Sequence, residues 1–190
     1  MLITDYLFEN VKPIWDAYLE HDFIMDMGNG NLCKDKFKDY LIQDYLYLKE
    51  YAKVYAMALV KCENIEQMKF CQNSINGILE DESATHIWYL KNFGEKIEEL
   101  EDYKIKEANE NYTSYMKSIA LTGDLLDTMV SVLPCAWSYY YIGKKLKETY
   151  KENLEDNFYK SWIESYSCEG YGQVARTSIE FVNTLSENID

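Results

Sequence analysis

An all-α fold is predicted from three features of the sequence. Its 190 residues include only two prolines and eight glycines, so few positions interrupt a helix. Apolar and aromatic residues recur at spacings of three and four through most of the chain, and no segment reads as a convincing strand. Hydrophobic residues make up 47% and charged residues 27%, the balance of a folded protein with a sizeable core. No repeat, low-complexity tract or linker divides the chain, and one domain over residues 1–190 is expected.

The elements follow in order. Between Leu2 and Tyr18, Leu7, Val11, Trp15 and Tyr18 keep helical spacing around Pro13. Gly28-Asn29-Gly30-Asn31 reads as a turn. Lys34 to Cys62 contains neither Gly nor Pro and predicts one long helix. Ile65 to Phe93 is a further helical pattern, closed by Gly94. The acidic run Glu95 to Glu110 reads as a solvated connection into a helix around Asn109 to Leu121. Asp124 is a good N-cap for the next helix, Leu125 to about Tyr150, with Asp127 in its first turn and Lys144, Lys145 and Lys147 towards its end. Phe158, Trp162 and Tyr166 recur at fourfold spacing within Leu154 to Tyr166. Ser167 to Gly170 reads as a break before a last helix from about Tyr171 to Leu185. That makes seven or so helices.

Charge and cysteine usage exclude several functions. With 19 basic and 33 acidic residues the net charge is −14, which repels phosphate backbones and anionic lipid surfaces; neither nucleic acid nor membrane is an expected partner. Met1 to Glu9 carries Asp5 and Glu9 and lacks the basic-then-apolar order of a secretion signal, and no apolar run reaches membrane-spanning length, so a cytoplasmic location is expected. Cysteines 33, 62, 71, 135 and 168 form an odd set without C-x-x-C spacing, which argues against a disulfide framework or a structural zinc site.

Three groups of residues bear on chemistry. In the long helix, Tyr40, Asp44, Tyr47, Tyr51 and Tyr55 form one stripe. Facing inwards, its phenols need hydrogen-bond partners and would line a polar cavity or a dense network; the stripe equally suits a solvent or subunit face. Asp44 within it is costly to bury unless paired or presented to a ligand. Glu82 and His86, four apart, suit a structural hydrogen bond that fixes the imidazole better than a metal site, for which the only other histidine is His21. In Leu133 to Tyr141, Pro134 has no N–H for the carbonyl of Val130 and bends a helix beside Cys135, whose face Tyr139 shares one turn on. On residue types alone Cys135 is either a small core thiol, the commoner use, or a nucleophile beside an opened pocket.

Four motifs in register resolve part of this. Tyr40-Leu41-Ile42-Gln43-Asp44-Tyr45-Leu46-Tyr47-Leu48, then Glu80-x-Glu82-x-x-x-His86, then Leu133-Pro134-Cys135-x-Trp137-x-Tyr139-x-x-x-Gly143, then Trp162-Ile163-x-x-Tyr166, with Tyr112 between the second and third, resemble the TenA family of aminopyrimidine aminohydrolases, or thiaminase II. The resemblance implies a heme-oxygenase-like helical bundle, assembled as a homotetramer, that needs no heme or metal cofactor. It implies hydrolysis of 4-amino-5-aminomethyl-2-methylpyrimidine to the 5-hydroxymethyl compound in thiamine salvage, with cleavage of thiamine as a second activity. By position it makes Cys135 the nucleophile that adds to the pyrimidine ring and Asp44 the group that holds the ring's amino and nitrogen edge. Tyr47, Tyr139 and Tyr166 would line and orient the ring, and Tyr112 would help close the pocket.

One departure from the family pattern stands out. Members continue into a further helix whose glutamate serves as acid and base on the ring, whereas no residue up to Asp190 matches it. The bundle expected of residues 1–190 therefore lacks the family's last helix, either because the sequence is clipped or because this is a shortened member. Two other functions compete with the hydrolase: a non-catalytic pyrimidine-binding or regulatory protein, and a heme or di-iron oxygenase on the same fold using His21 or the Glu82/His86 pair.

Overall fold

The computed structural model describes residues 1–187, and at 81–83 the backbone alone. All regular structure among the described residues is helical, as predicted. The α-helices are α1 (Ile3–Leu19), α2 (Asp22–Asn29), α3 (Lys34–Val60), α4 (Ile65–Asn76), α5 (Ser83–Asn92), α6 (Glu107–Thr122), α7 (Leu125–Thr149), α8 (Lys160–Ser167) and α9 (Glu169–Ser186). A π-helical turn, Gly77–Glu82, joins α4 to α5, and a 3-10 helix spans Ile97–Asp102. No helix among the described residues is long and apolar enough to cross a membrane. The chain forms two compact units, one of Met1–Leu32 with Leu133–Asp190 and one of Cys33–Val132, and passes between them at Leu32–Cys33 and inside α7.

In the unit Cys33–Val132, α3 is the central helix and packs against α4, α5 and α6. Its inner face carries Phe37, Leu41, Leu48, Val54 and Ala58, which are essentially inaccessible to water. Asn64 caps α4 by accepting from the N–H of Gln67 at 2.9 Å. The helical pattern predicted from Ile65 to Phe93 is interrupted by the π turn, which coincides with a change in the burial register. Cys71 and Ile78 are buried seven residues apart, two α-helical turns, and His86 is fully buried eight residues after Ile78. A π turn takes up the extra residue. The acidic connection also differs from expectation: Ile97–Asp102 winds into a 3-10 helix, within which Leu100 is fully buried. Asp124 caps α7 as predicted, with Asp127 N–H donating to Asp124 Oδ1 (2.8 Å) and Asp124 N–H to Asp127 Oδ2 (3.1 Å).

In the other unit α9 packs against α1 and α8, and α1 against α2. The helix α2 was not predicted: Gly28 and Asn29 belong to its last turn, and the break falls at Gly30, which ends it with φ +77°. Its N-cap is His21, whose Nδ1 accepts from the N–H of Phe23 (3.1 Å). The segment after α7 is held by side chains instead of by helix: Asn157 donates to the carbonyls of Met27 and Gly28 (both 2.9 Å) and accepts from the N–H of Tyr159 (2.8 Å), and the Tyr159 hydroxyl donates to the carbonyl of Leu32 at 2.5 Å. The helix predicted from Leu154 accordingly starts at Lys160. Cys168 is the whole of the break before α9, and its Sγ accepts from the N–H of Tyr171 (3.3 Å). Phe8 of α1 stacks on Trp137 of α7 at 5.3 Å, with Trp15 edge-on to the same indole at 5.5 Å.

Candidate active site

The tyrosine stripe of α3 faces inwards. Asp44, Tyr47, Tyr51 and Tyr55 are all buried, while Tyr40 at the upper end is half-buried. Tyr47 lies between two parallel rings, with Tyr51 stacked on it at 5.2 Å and Tyr112 of α6 at 5.8 Å with an interplanar angle of 7°. The outer phenols of this stack reach main-chain carbonyls of α7: Tyr51 donates to Val132 O at 3.0 Å and Tyr112 to Ser131 O at 3.5 Å. These are the carbonyls around the point where Pro134 withholds an N–H from the helix.

Asp44 is buried but not isolated. Nε2 of His86 stands 2.9 Å from its Oδ2, and the hydroxyl of Tyr40 donates to the same oxygen at 3.4 Å. The predicted structural hydrogen bond of His86 is therefore made to Asp44 of α3. The side chain of Glu82, the other member of the predicted Glu82/His86 pair, lies outside the described residues. Among the described residues no three His, Cys, Asp or Glu side chains gather closely enough to hold a metal ion.

The remaining predicted site residues are in the unit Met1–Leu32 with Leu133–Asp190. Cys135 is buried on α7, and Tyr139 follows one turn later, half-buried. Tyr139 packs against Tyr166 of α8 with centroids 4.7 Å apart, and Trp162 adjoins both rings at 6.0 and 4.6 Å. Tyr171 of α9 closes edge-on against Tyr166 at 4.8 Å. Gly143 permits the approach of α7 to α8: a Cβ there would stand 2.8 Å from the carbonyl carbon of Tyr166 and 3.0 Å from the N of Ser167.

The structure thus gathers Asp44, Tyr47 and Tyr112 in one unit, and Cys135, Tyr139 and Tyr166 in the other. The other thiols have separate surroundings. Cys33 and Cys168 are exposed, whereas Cys71 is fully buried 3.7 Å from Cys62, and burial pushes its pKa up to about 12.

A profile of the TENA/THI-4/PQQC family matches residues 8–190. The chain belongs to this family. Among relatives, an aminopyrimidine aminohydrolase of Helicobacter pylori is 35% identical over 186 residues, covering 98% of this chain and 85% of that one. An aminopyrimidine aminohydrolase of Halalkalibacterium halodurans is 37% identical over 184 residues, covering 96% and 81%. A solved TenA family transcription regulator from Silicibacter superposes with a TM-score of 0.88 at 26% identity, covering 98% of this chain and 81% of that one. The TenA homologue of Pyrococcus horikoshii shares the fold, with a TM-score of 0.87 at 24% identity over 100% and 88% of the two chains.

Against this family background, two residues carry more weight than their spacing suggests. Tyr51, read only as part of a stripe, supplies the donor to α7, and its signal was the fourfold spacing from Tyr47 and Tyr55. His86 is paired by sequence proximity with Glu82, whose side chain lies outside the described residues, while a partner in space, Asp44, is 42 positions away and carries no local signal. Asn188 to Asp190, where the sequence offers no match to the family's C-terminal glutamate, lie outside the described residues.

Proposed function

We propose that this TenA family member is an aminopyrimidine aminohydrolase of thiamine salvage. It hydrolyses 4-amino-5-aminomethyl-2-methylpyrimidine to the 5-hydroxymethyl compound and ammonia, with thiamine as a second substrate. The observation that carries this reading is the likeness to two aminopyrimidine aminohydrolases at 35% and 37% identity over nearly the whole chain. The matched span runs through both compact units, which supports residues 1–190 working as one domain. A cytoplasmic homotetramer is the form in which we expect it to act.

Roles follow the motif positions. Cys135 is the nucleophile: its thiolate forms a bond to a ring carbon, and the displaced electron pair moves onto a ring nitrogen, which takes up a proton. With aromaticity lost, the ring pushes out the amine on the exocyclic methylene; that nitrogen is protonated and leaves as ammonia. Water adds to the methylene in its place, and expulsion of the thiolate restores the ring. Asp44 holds the amino and nitrogen edge of the pyrimidine, its negative charge matched to the N–H donors of the ligand. Tyr47, Tyr139 and Tyr166 orient the ring through their faces and hydroxyls, and Tyr112 helps close over it.

Ammonia release from the aminomethylpyrimidine tests this. Turnover by the wild-type protein and its loss in Cys135→Ser, with retained binding of the hydroxymethyl product, is the expected pattern; undiminished turnover in Cys135→Ser overturns the nucleophile. A second reading, a pyrimidine-binding regulatory protein, is favoured by the description of the Silicibacter structure as a transcription regulator. Tight calorimetric binding of the hydroxymethylpyrimidine with no turnover of the aminomethyl compound would select it. With a net charge of −14, such a regulator acts through a ligand or protein and not on DNA directly.

A further inference from the structure

We propose that His86 is a positioning residue for Asp44, aimed by the π turn that precedes α5; this rests on the reading of Asp44 as the group that holds the pyrimidine. His86 is 0% and Asp44 8% exposed, and 2.9 Å between Nε2 and Oδ2 is the distance at which an imidazole N–H donates to a carboxylate. The contact selects the Nε2–H tautomer and gives Oδ2 a donor. The Tyr40 hydroxyl reaches the same oxygen at 3.4 Å, so two donors from different helices hold Oδ2 in place. A short side chain held in this way presents a constant edge to an amino group and a ring nitrogen, with its orientation set before the ligand arrives.

The register shows how the imidazole comes to be there. Along α4 and the turn after it, Cys71 and Ile78 define the face that packs inwards. Continued as a straight α-helix, eight further residues would leave His86 about 80° off that face and give its place to Thr85. In the structure Thr85 is half-buried and His86 fully buried, followed on the same face by Tyr89 and Leu90. The π turn at Gly77–Glu82 supplies the missing rotation by absorbing one residue. Since α5 packs on α3, the rotated residue meets the stripe at Asp44.

The test uses the full chain. It has two histidines, of which His21 is exposed, so nitrogen-15 labelling of the imidazoles gives a separable His86 Nε2–H signal. Saturation with 4-amino-5-hydroxymethyl-2-methylpyrimidine is expected to shift that signal, and a signal unmoved at saturation overturns the role. In kinetics, His86→Leu is expected to raise KM for the aminomethyl substrate by about tenfold or more with a smaller change in kcat. His86→Gln, whose amide reaches near the position of Nε2, is expected to recover most of it. A KM unchanged in His86→Leu overturns the proposal, and should that variant not fold, the wild-type spectrum and His86→Gln decide. Asp44→Asn separates the two levels. Undiminished affinity there sinks the reading of Asp44 and the positioning role with it, whereas lost affinity beside a normal His86→Leu sinks the positioning role alone.

Discussion

The hydroxyl of Tyr51 donates to the carbonyl oxygen of Val132 over 3.0 Å, two residues before Pro134. Both residues are buried, so removing the donor leaves a carbonyl without that partner and without water. Tyr51→Phe keeps the ring stacked on Tyr47 and is expected to cost about 1–3 kcal/mol of stability. Urea unfolding measures it; a midpoint equal to wild type would show that the bond contributes nothing.

Gly143 stands where α7 meets the backbone of α8. In Gly143→Ala the new methyl group meets main-chain atoms of Tyr166 and Ser167 that cannot step aside as a flexible side chain would. The expected loss is about 1–3 kcal/mol. Because the displaced residue is Tyr166, weaker pyrimidine binding is expected to accompany the lower melting temperature. Full affinity in a destabilised variant would separate Tyr166 from ligand binding.

Glu50 gives stability a definite dependence on pH. Burial opposes its ionisation, but Lys117 and Lys53, each 2.6 Å away, outweigh burial and hold its carboxyl below the usual range. A depressed carboxyl stabilises the fold fully above its unfolded value of about 4.3, and the contribution fades as pH falls through the lowered folded value. The stability gap between wild type and Glu50→Gln is therefore expected to be widest near neutrality and to close in acid. A gap that widens below pH 4 would contradict the sign.

Thiol labelling should divide the cysteines by environment. Cys33 and Cys168 are exposed and are expected to react first with an aromatic disulfide reagent near neutral pH. Burial raises the pKa of Cys62 and takes that of Cys71 to about 12, so both are expected to react only on unfolding. Mass spectrometry of the partly labelled protein reads the order, and early modification of Cys71 would refute it.

How much was legible in the sequence depended on the range of the interactions. The helix α3 was plain because Lys34 to Val60 carries its own periodicity and no breaker, and the same periodicity put Asp44 and Tyr47 on one stripe. Burial decided the stripe's direction, which periodicity alone left open. The Asp124 cap was legible because both partners lie within one turn. What escaped was set by distant partners. The late start of α8 follows from Asn157 bonding to Met27 and Gly28, about 130 positions away, and the π turn accompanies packing of the segment against the separate helix α3. The helix α2 was missed because His21 is an unusual cap and two glycines in three positions looked like a longer turn than the one Gly30 makes.

The turn at Gly77–Glu82 places an unusual demand on heredity. Leu79 and Glu80 point into solvent, and a side chain added at Gly77 meets nothing, so the letters at these three positions are cheap to exchange, unlike the buried Ile78. The length of the turn is not. Loss of a single codon here would rotate everything downstream in α5 by about 100°, swinging the imidazole off its carboxylate while leaving every other amino acid intact. A deletion scan through Leu79 and Glu80 is expected to expose a constraint on length that a substitution scan at the same positions passes over.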